Sequence, residues 1–113
     1  MHELSIVNSL IDLCEQNAKI HNAKKITKVY VKIGKLSGIE PHFFHITFDT
    51  FKQNSICENA ELIMNIEGLK IACFECGSIS ELDINEFVCP KCKSIEIKTI
   101  EGEDMMLQSL EME

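Results

Sequence analysis

The chain has 113 residues, 45% of them apolar, which suits one compact domain or a small domain carrying a still smaller module. Eleven Lys and Arg against eighteen Asp and Glu leave a net charge of −7. This excludes the basic footprint that nucleic-acid binding needs and suits a protein that handles cations or meets basic partner surfaces.

No stretch is long and apolar enough to span a membrane. The start lacks a basic segment followed by an apolar one, so no secretory signal is expected and a cytoplasmic location is. In chain order, residues 3–20 read as an amphipathic helix, with Leu4, Val7, Leu10, Ile11, Cys14 and Ala18 on one face. Cys14 on that stripe reads as a small core residue. His21 reads as a helix C-terminal residue, where a positive charge is favourable. Ile26 to Ile33 alternates, with Val29, Val31 and Ile33 on one side and Lys28, Tyr30 and Lys32 on the other, as in a strand with one buried face.

Gly34 and Gly38 mark a loop. Pro41 then sits well at the first position of a second helix, whose core stripe is Phe44, Phe48 and Phe51. His42 and His45 are three apart on it but lack an evident third ligand, so they read as partly exposed helix residues. The polar run from Gln53 to Asn59 ends the helix, and Cys57 within it reads as a lone, unactivated thiol. Leu62, Met64 and Ile66 form another alternating strand. Strand, helix and strand in that order suggest a right-handed parallel crossover. Met105 to Met112 reads as a last short strand. The expected fold class is α+β: two helices packed on a small mixed three-stranded sheet, with an inserted zinc-ribbon-like module. Residues 1–67 and 101–113 would make the first domain and 68–100 the module.

The module holds two Cys-x-x-Cys pairs, Cys73-Phe74-Glu75-Cys76 and Cys89-Pro90-Lys91-Cys92, with twelve residues between them. Each pair can form a tight knuckle, and the intervening segment can return as a hairpin. This is the spacing of a tetrathiolate Zn²⁺ site. Four thiolates leave no open position for water or substrate, so such a site is structural. A zinc hydrolase, with its open coordination position and general base, is therefore not indicated, and no enzymatic motif is found. The module has few large apolar residues, so bound metal would supply much of its folding free energy, on the order of 10 kcal/mol.

The opening Met1-His2-Glu3 offers a different donor set. Met1 should be retained before a residue as large as His2. The Met1 amine, the His2 amide and the His2 imidazole then form two adjacent chelate rings, which suit the tetragonal nitrogen geometry of Ni(II) or Cu(II). At a helix start that amide has no internal partner to lose. The positive helix end disfavours protonated imidazole and also a bound cation, and an ionised Glu3 would offset the latter. From the residues alone, a solvated terminal His2 remains the alternative.

The initial Met1-His2-Glu3, the helix of this length and the late Cys-x-x-Cys pairs together resemble the HypA family of hydrogenase nickel-incorporation proteins. The similarity extends to Lys32-Ile33-Gly34, the Phe-rich second helix and the module inserted before the last strand. The resemblance implies a non-enzymatic nickel metallochaperone. His2 would be the main nickel ligand, Met1 and Glu3 would add donors, and Glu40 would be an acidic supporting residue. Cys73, Cys76, Cys89 and Cys92 would hold structural zinc. Implied partners are a nickel-handling maturation GTPase and the [NiFe]-hydrogenase large subunit or its maturation complex, with urease accessory proteins as a second route. The protein would be a monomer or weak homodimer. The rival reading is a zinc-ribbon interaction module without a nickel role.

Overall fold

The computed structural model describes residues 3–82 and 87–113. Its elements are α1 (Glu3–Ile20), β1 (Ile26–Gly34), α2 (Pro41–Phe51), β2 (Glu61–Glu67), β3 (Leu69–Cys73), β4 (Ile79–Leu82), β5 (Ile97–Glu101) and β6 (Met105–Met112); both helices and β1, β2 and β6 follow the sequence pattern. They build two three-stranded sheets, ordered β2-β1-β6 and β4-β3-β5. The first is mixed. β1 runs parallel to β2, from Lys28 beside Glu61 to Gly34 beside Glu67, and antiparallel to β6. The second is antiparallel throughout.

Both helices cover the first sheet. Val7, Leu10, Ile11, Cys14 and Ala18 of α1 meet Val29, Val31 and Ile33 of β1 and Phe44 and Phe48 of α2 in one core. Each fully buried Phe side chain contributes roughly 1.5–3 kcal/mol of hydrophobic stabilisation. Three expected core positions fall outside it. Leu4, Phe51 and Ile66 are each nearly half exposed. All three lie at or beside element ends, where the matching face runs past the edge of the layer it would pack against. Cys57 departs in the other direction. It is fully buried beside Cys14 although its neighbours are polar, because the turn after α2 folds inward before β2 begins.

The second sheet buries little: Leu69, Ile71, Cys73 and Cys89. It also extends the molecule. The dimensions are 52 × 28 × 17 Å and the radius of gyration is 17.1 Å, where a compact chain of this length would have about 13 Å. Gly68 alone joins β2 to β3, and Gly102-Glu103-Asp104 joins β5 back to β6.

At this waist backbone packs on backbone. A Cβ on Gly34 would lie 2.2 Å from the Gly102 carbonyl oxygen, and one on Gly102 would lie 2.7 Å from that of Gly68. Gly102 also has φ +102°, which L side chains rarely adopt. Its carbonyl accepts from the Leu36 amide at 2.8 Å, and the Asp104 carbonyl accepts from the Gly34 amide at 3.0 Å. Gly34→Ala and Gly102→Ala should therefore each destabilise by more than about 1 kcal/mol, Gly34→Ala the more severely, as a lowered midpoint in urea unfolding. Gly68→Ala, with open space around its Cβ, should be mild by the same measurement.

Candidate metal centre

Two identical turns build the site. In the first, the Cys73 amide donates to the Ser78 carbonyl (2.9 Å) and the Gly77 amide to the Cys73 carbonyl (3.1 Å). In the second, the Cys89 amide donates to the Ser94 carbonyl (2.9 Å) and the Lys93 amide to the Cys89 carbonyl (2.8 Å). The fifth residue of each turn must be left-handed: Gly77 has φ +72° and Lys93 has φ +65°. Glycine takes this conformation freely, whereas a lysine pays roughly 1–2 kcal/mol for it.

The turns converge so that the four thiol sulfurs all lie within 4.8 Å of one another. Cys73 Sγ is 3.6 Å from Cys92 Sγ, and Cys76 Sγ is 3.6 Å from Cys89 Sγ. These separations are far too long for S–S bonds, which are about 2.05 Å. They match the edge, about 3.8 Å, of a tetrahedron with 2.3 Å zinc–sulfur bonds. The donor set and its geometry therefore fit zinc.

The surroundings favour thiolate at Cys76 and Cys89 and oppose it at Cys92. Hydrogen bonds from Ser78, side chain and backbone, lower the Cys76 thiol. The Cys92 and Lys91 amides bring Cys89 down to about 6 against its burial. For Cys92 the Ser94 amide acts in the same sense, but burial and the neighbouring sulfurs outweigh it and push the thiol up to about 12. A cation among the sulfurs would remove that mutual conflict. Ser78 Oγ lies 3.0 Å from Cys76 Sγ and 3.7 Å from Cys89 Sγ, so it touches both pairs. The spacing of the cysteines does not reveal Ser78. The only local signal is the Gly-Ser that follows the first pair.

The N-terminal candidates are different. Met1 and His2 lie outside the described residues, as does the side chain of Glu3. Glu40 is the N-cap of α2, and its Oε2 accepts from the Phe43 amide at 2.6 Å. Ser37 and Ile39, just before it, share a hollow with Ile6 in the first turns of α1. His45 is held by Asp49 (Nδ1 to Oδ2, 3.1 Å), and Asp49 also meets Lys52 at 3.0 Å. His21 caps the end of α1 through the Asn17 carbonyl, 2.9 Å from its Nδ1. Cys14 lies beside Cys57, and that contact, with burial, pushes its thiol up. Among the described residues, the cysteine quartet is the one His/Cys/Asp/Glu group whose donors converge as a metal requires.

Replacing Gly77 with Ala should cost roughly 1–2 kcal/mol. Lys93→Gly should relieve the second turn and gain up to about 1 kcal/mol, less what glycine adds to unfolded-state freedom. Denaturant titration of the two metal-loaded variants, side by side, measures both signs.

The chain matches, over residues 1–112, the family described as "Hydrogenase/urease nickel incorporation, metallochaperone, hypA". It is 52% identical to the hydrogenase maturation factor HypA of Aquifex aeolicus, with 100% of this chain and 98% of the relative covered. It is 54% identical to that of Campylobacter jejuni, with 99% of each covered. The fold is similar to the solution structure of the Ni metallochaperone HypA from Helicobacter pylori, with TM-score 0.78 and 38% identity over 99% of this chain and 97% of that one.

Proposed function

Since the chain belongs to the HypA family of hydrogenase/urease nickel-incorporation metallochaperones, we propose that it carries Ni(II) at its N-terminus and holds structural zinc in Cys73, Cys76, Cys89 and Cys92. One observation carries this reading. The described residues contain a single convergent donor set, and it is closed: four sulfurs complete a tetrahedron. A cargo ion must be taken up and released, so it needs another, more open set of donors. Met1-His2-Glu3 supplies one, and its amine, amide and imidazole nitrogens suit nickel.

In this scheme His2 is the main ligand, with Met1 and Glu3 adding donors. Glu40 is the supporting carboxylate. The hollow that Ile6 shares with Ser37 and Ile39 supports the proximity of its loop to the start of α1. Zinc, when bound, cross-links the two knuckles and stabilises a sheet with little apolar core of its own. The chain divides into a nickel-binding part, residues 1–67 with 101–113, and a zinc module, 68–100. It acts in the cytoplasm as a non-enzymatic carrier. A maturation GTPase assists transfer to the [NiFe]-hydrogenase large subunit, and urease accessory proteins provide a second outlet. No helix among the described residues is long and apolar enough to cross a membrane.

His2→Ala should abolish tight Ni(II) binding in calorimetry while zinc content and the circular dichroism spectrum stay unchanged. Any residue added before Met1 should weaken nickel nearly as much, because the amine becomes a poorly coordinating amide. Native affinity in both variants would leave a zinc-ribbon module without a nickel role. Cys76→Ser should lower zinc content in elemental analysis from one ion per chain and open the second sheet to protease.

A further inference from the structure

The outer boundary of β6 is a groove that the fold leaves open. β6 pairs with β1 on one side and, among the described residues, with no strand on the other. Its inward residues Met105, Leu107, Leu110 and Met112 pack against the core yet stay only partly buried, whereas Val29, Val31 and Ile33 of the neighbouring β1 are fully buried. The gap lies between β6 and α1. Hollows of about 480 and 450 Å³ both reach Leu107, and a third of about 400 Å³ shares Ile6 and Met105 with the first. Together they follow β6 from Met105 to Met112, roughly 26 Å at strand rise.

The far lip is apolar as well. Besides its core stripe, α1 carries a second one at seven-residue spacing: Ile6, Leu13 and Ile20. Ile6 and Leu13 line the first hollow. Leu13 is 41% and Ile20 74% exposed. An unpaired strand edge beside alternating apolar hollows is the geometry that accepts an added strand. Main-chain bonds hold such a strand, and alternate side chains read the pockets.

Charge selects the occupant. Glu103 and Asp104 stand exposed at one end of the groove, line its third hollow and make no ion pair among the described residues. Antiparallel self-pairing of β6 along its length would set this acidic pair against Glu113 of a second copy, and like charges directly opposite are destabilising. With a net charge of −7, two copies also repel at long range. We propose that the β6–α1 groove binds an extended segment of another protein, about eight residues long, apolar at alternate positions and carrying Lys or Arg at the end that meets Glu103 and Asp104. This docking needs neither metal, although its third hollow is the one through which the Glu40 loop approaches the start of α1.

A display library of random octapeptides panned on the zinc-loaded full-length chain tests it. Enriched peptides should alternate apolar residues, carry Lys or Arg at one end and exclude proline from their centre. A synthetic peptide of the enriched sequence should shift the amide resonances of Met105–Met112 and of the α1 face around Leu13. Leu13→Glu, on the exposed lip, should weaken it by about tenfold or more, as loss of one apolar contact of this size implies. Glu103→Gln with Asp104→Asn should remove the preference for Lys and Arg while leaving apolar alternation intact. Failure to enrich any alternating peptide, equal binding of proline-centred peptides, or shifts confined to the second sheet would overturn the proposal. So would a concentration-dependent dimer whose shifts map to β6, since that would make a second copy the occupant.

Discussion

The Gly102 carbonyl occupies the space where any side chain on Gly34 would have to stand. The rest of the molecule is arranged around that contact. It lets β1 end against the segment that returns from the second sheet. It also fixes the loop after β1 through Leu36, and that loop leads to Glu40 and the start of α2. Two sheets with separate hydrophobic interiors are therefore held by peptide groups in contact rather than by a shared side-chain core. A close backbone approach leaves little room for a side chain to adjust, and interiors this dense transmit displacement rather than absorb it.

The two sheets are stabilised by different means. The first has the expected resources of a small α+β unit: a strand with one buried face, two amphipathic helices and a parallel pairing that the intervening helix covers. The second has two large buried aliphatics and four sulfurs. Its hydrogen bonds order the knuckles but do not remove the repulsion expected among several thiolates brought within contact distance. Metal binding and folding are thus coupled there in a way they are not in the first sheet.

Much of this was readable in the residues. The alternation of Val29, Val31 and Ile33 identified β1 and its buried side, because a strand with one covered face repeats every two residues; Met105–Met112 also read as a strand, but a bulge interrupts its period. The cysteine spacing identified the quartet because two tight turns and a return segment leave few other ways to satisfy four thiols. What pattern could not show was where a face stops being covered. Leu4, Phe51 and Ile66 fit their periodicities and lie beyond the layer that would bury them. Cys57 lies in a polar run and is buried by the turn, a tertiary effect with no local signature. Glu40 is implicated by the resemblance alone, and its role as the cap of α2 depends on the backbone of Phe43. The strands β3, β4 and β5 around the knuckles were not visible either: each has only four or five residues, and in β4 and β5 none is buried. Met1, His2 and the Glu3 side chain lie outside the described residues, so the sequence remains the basis for their role.

The two knuckles share one hydrogen-bonding pattern but differ in how firmly each is anchored. Cys73 ends β3, the central strand of its sheet, and the turn that follows has glycine at its left-handed position. Cys89 and Cys92 belong to a turn whose immediately preceding described residues, Phe87 and Val88, are not in a strand, and a lysine holds the left-handed position. Such a site has a direction of disassembly. If bound metal were lost, the Cys89–Cys92 half would have less to hold it in place than the Cys73–Cys76 half, which continues from a central strand. Rebinding would run the other way, with the anchored pair holding its donors ready and the looser turn closing over the ion.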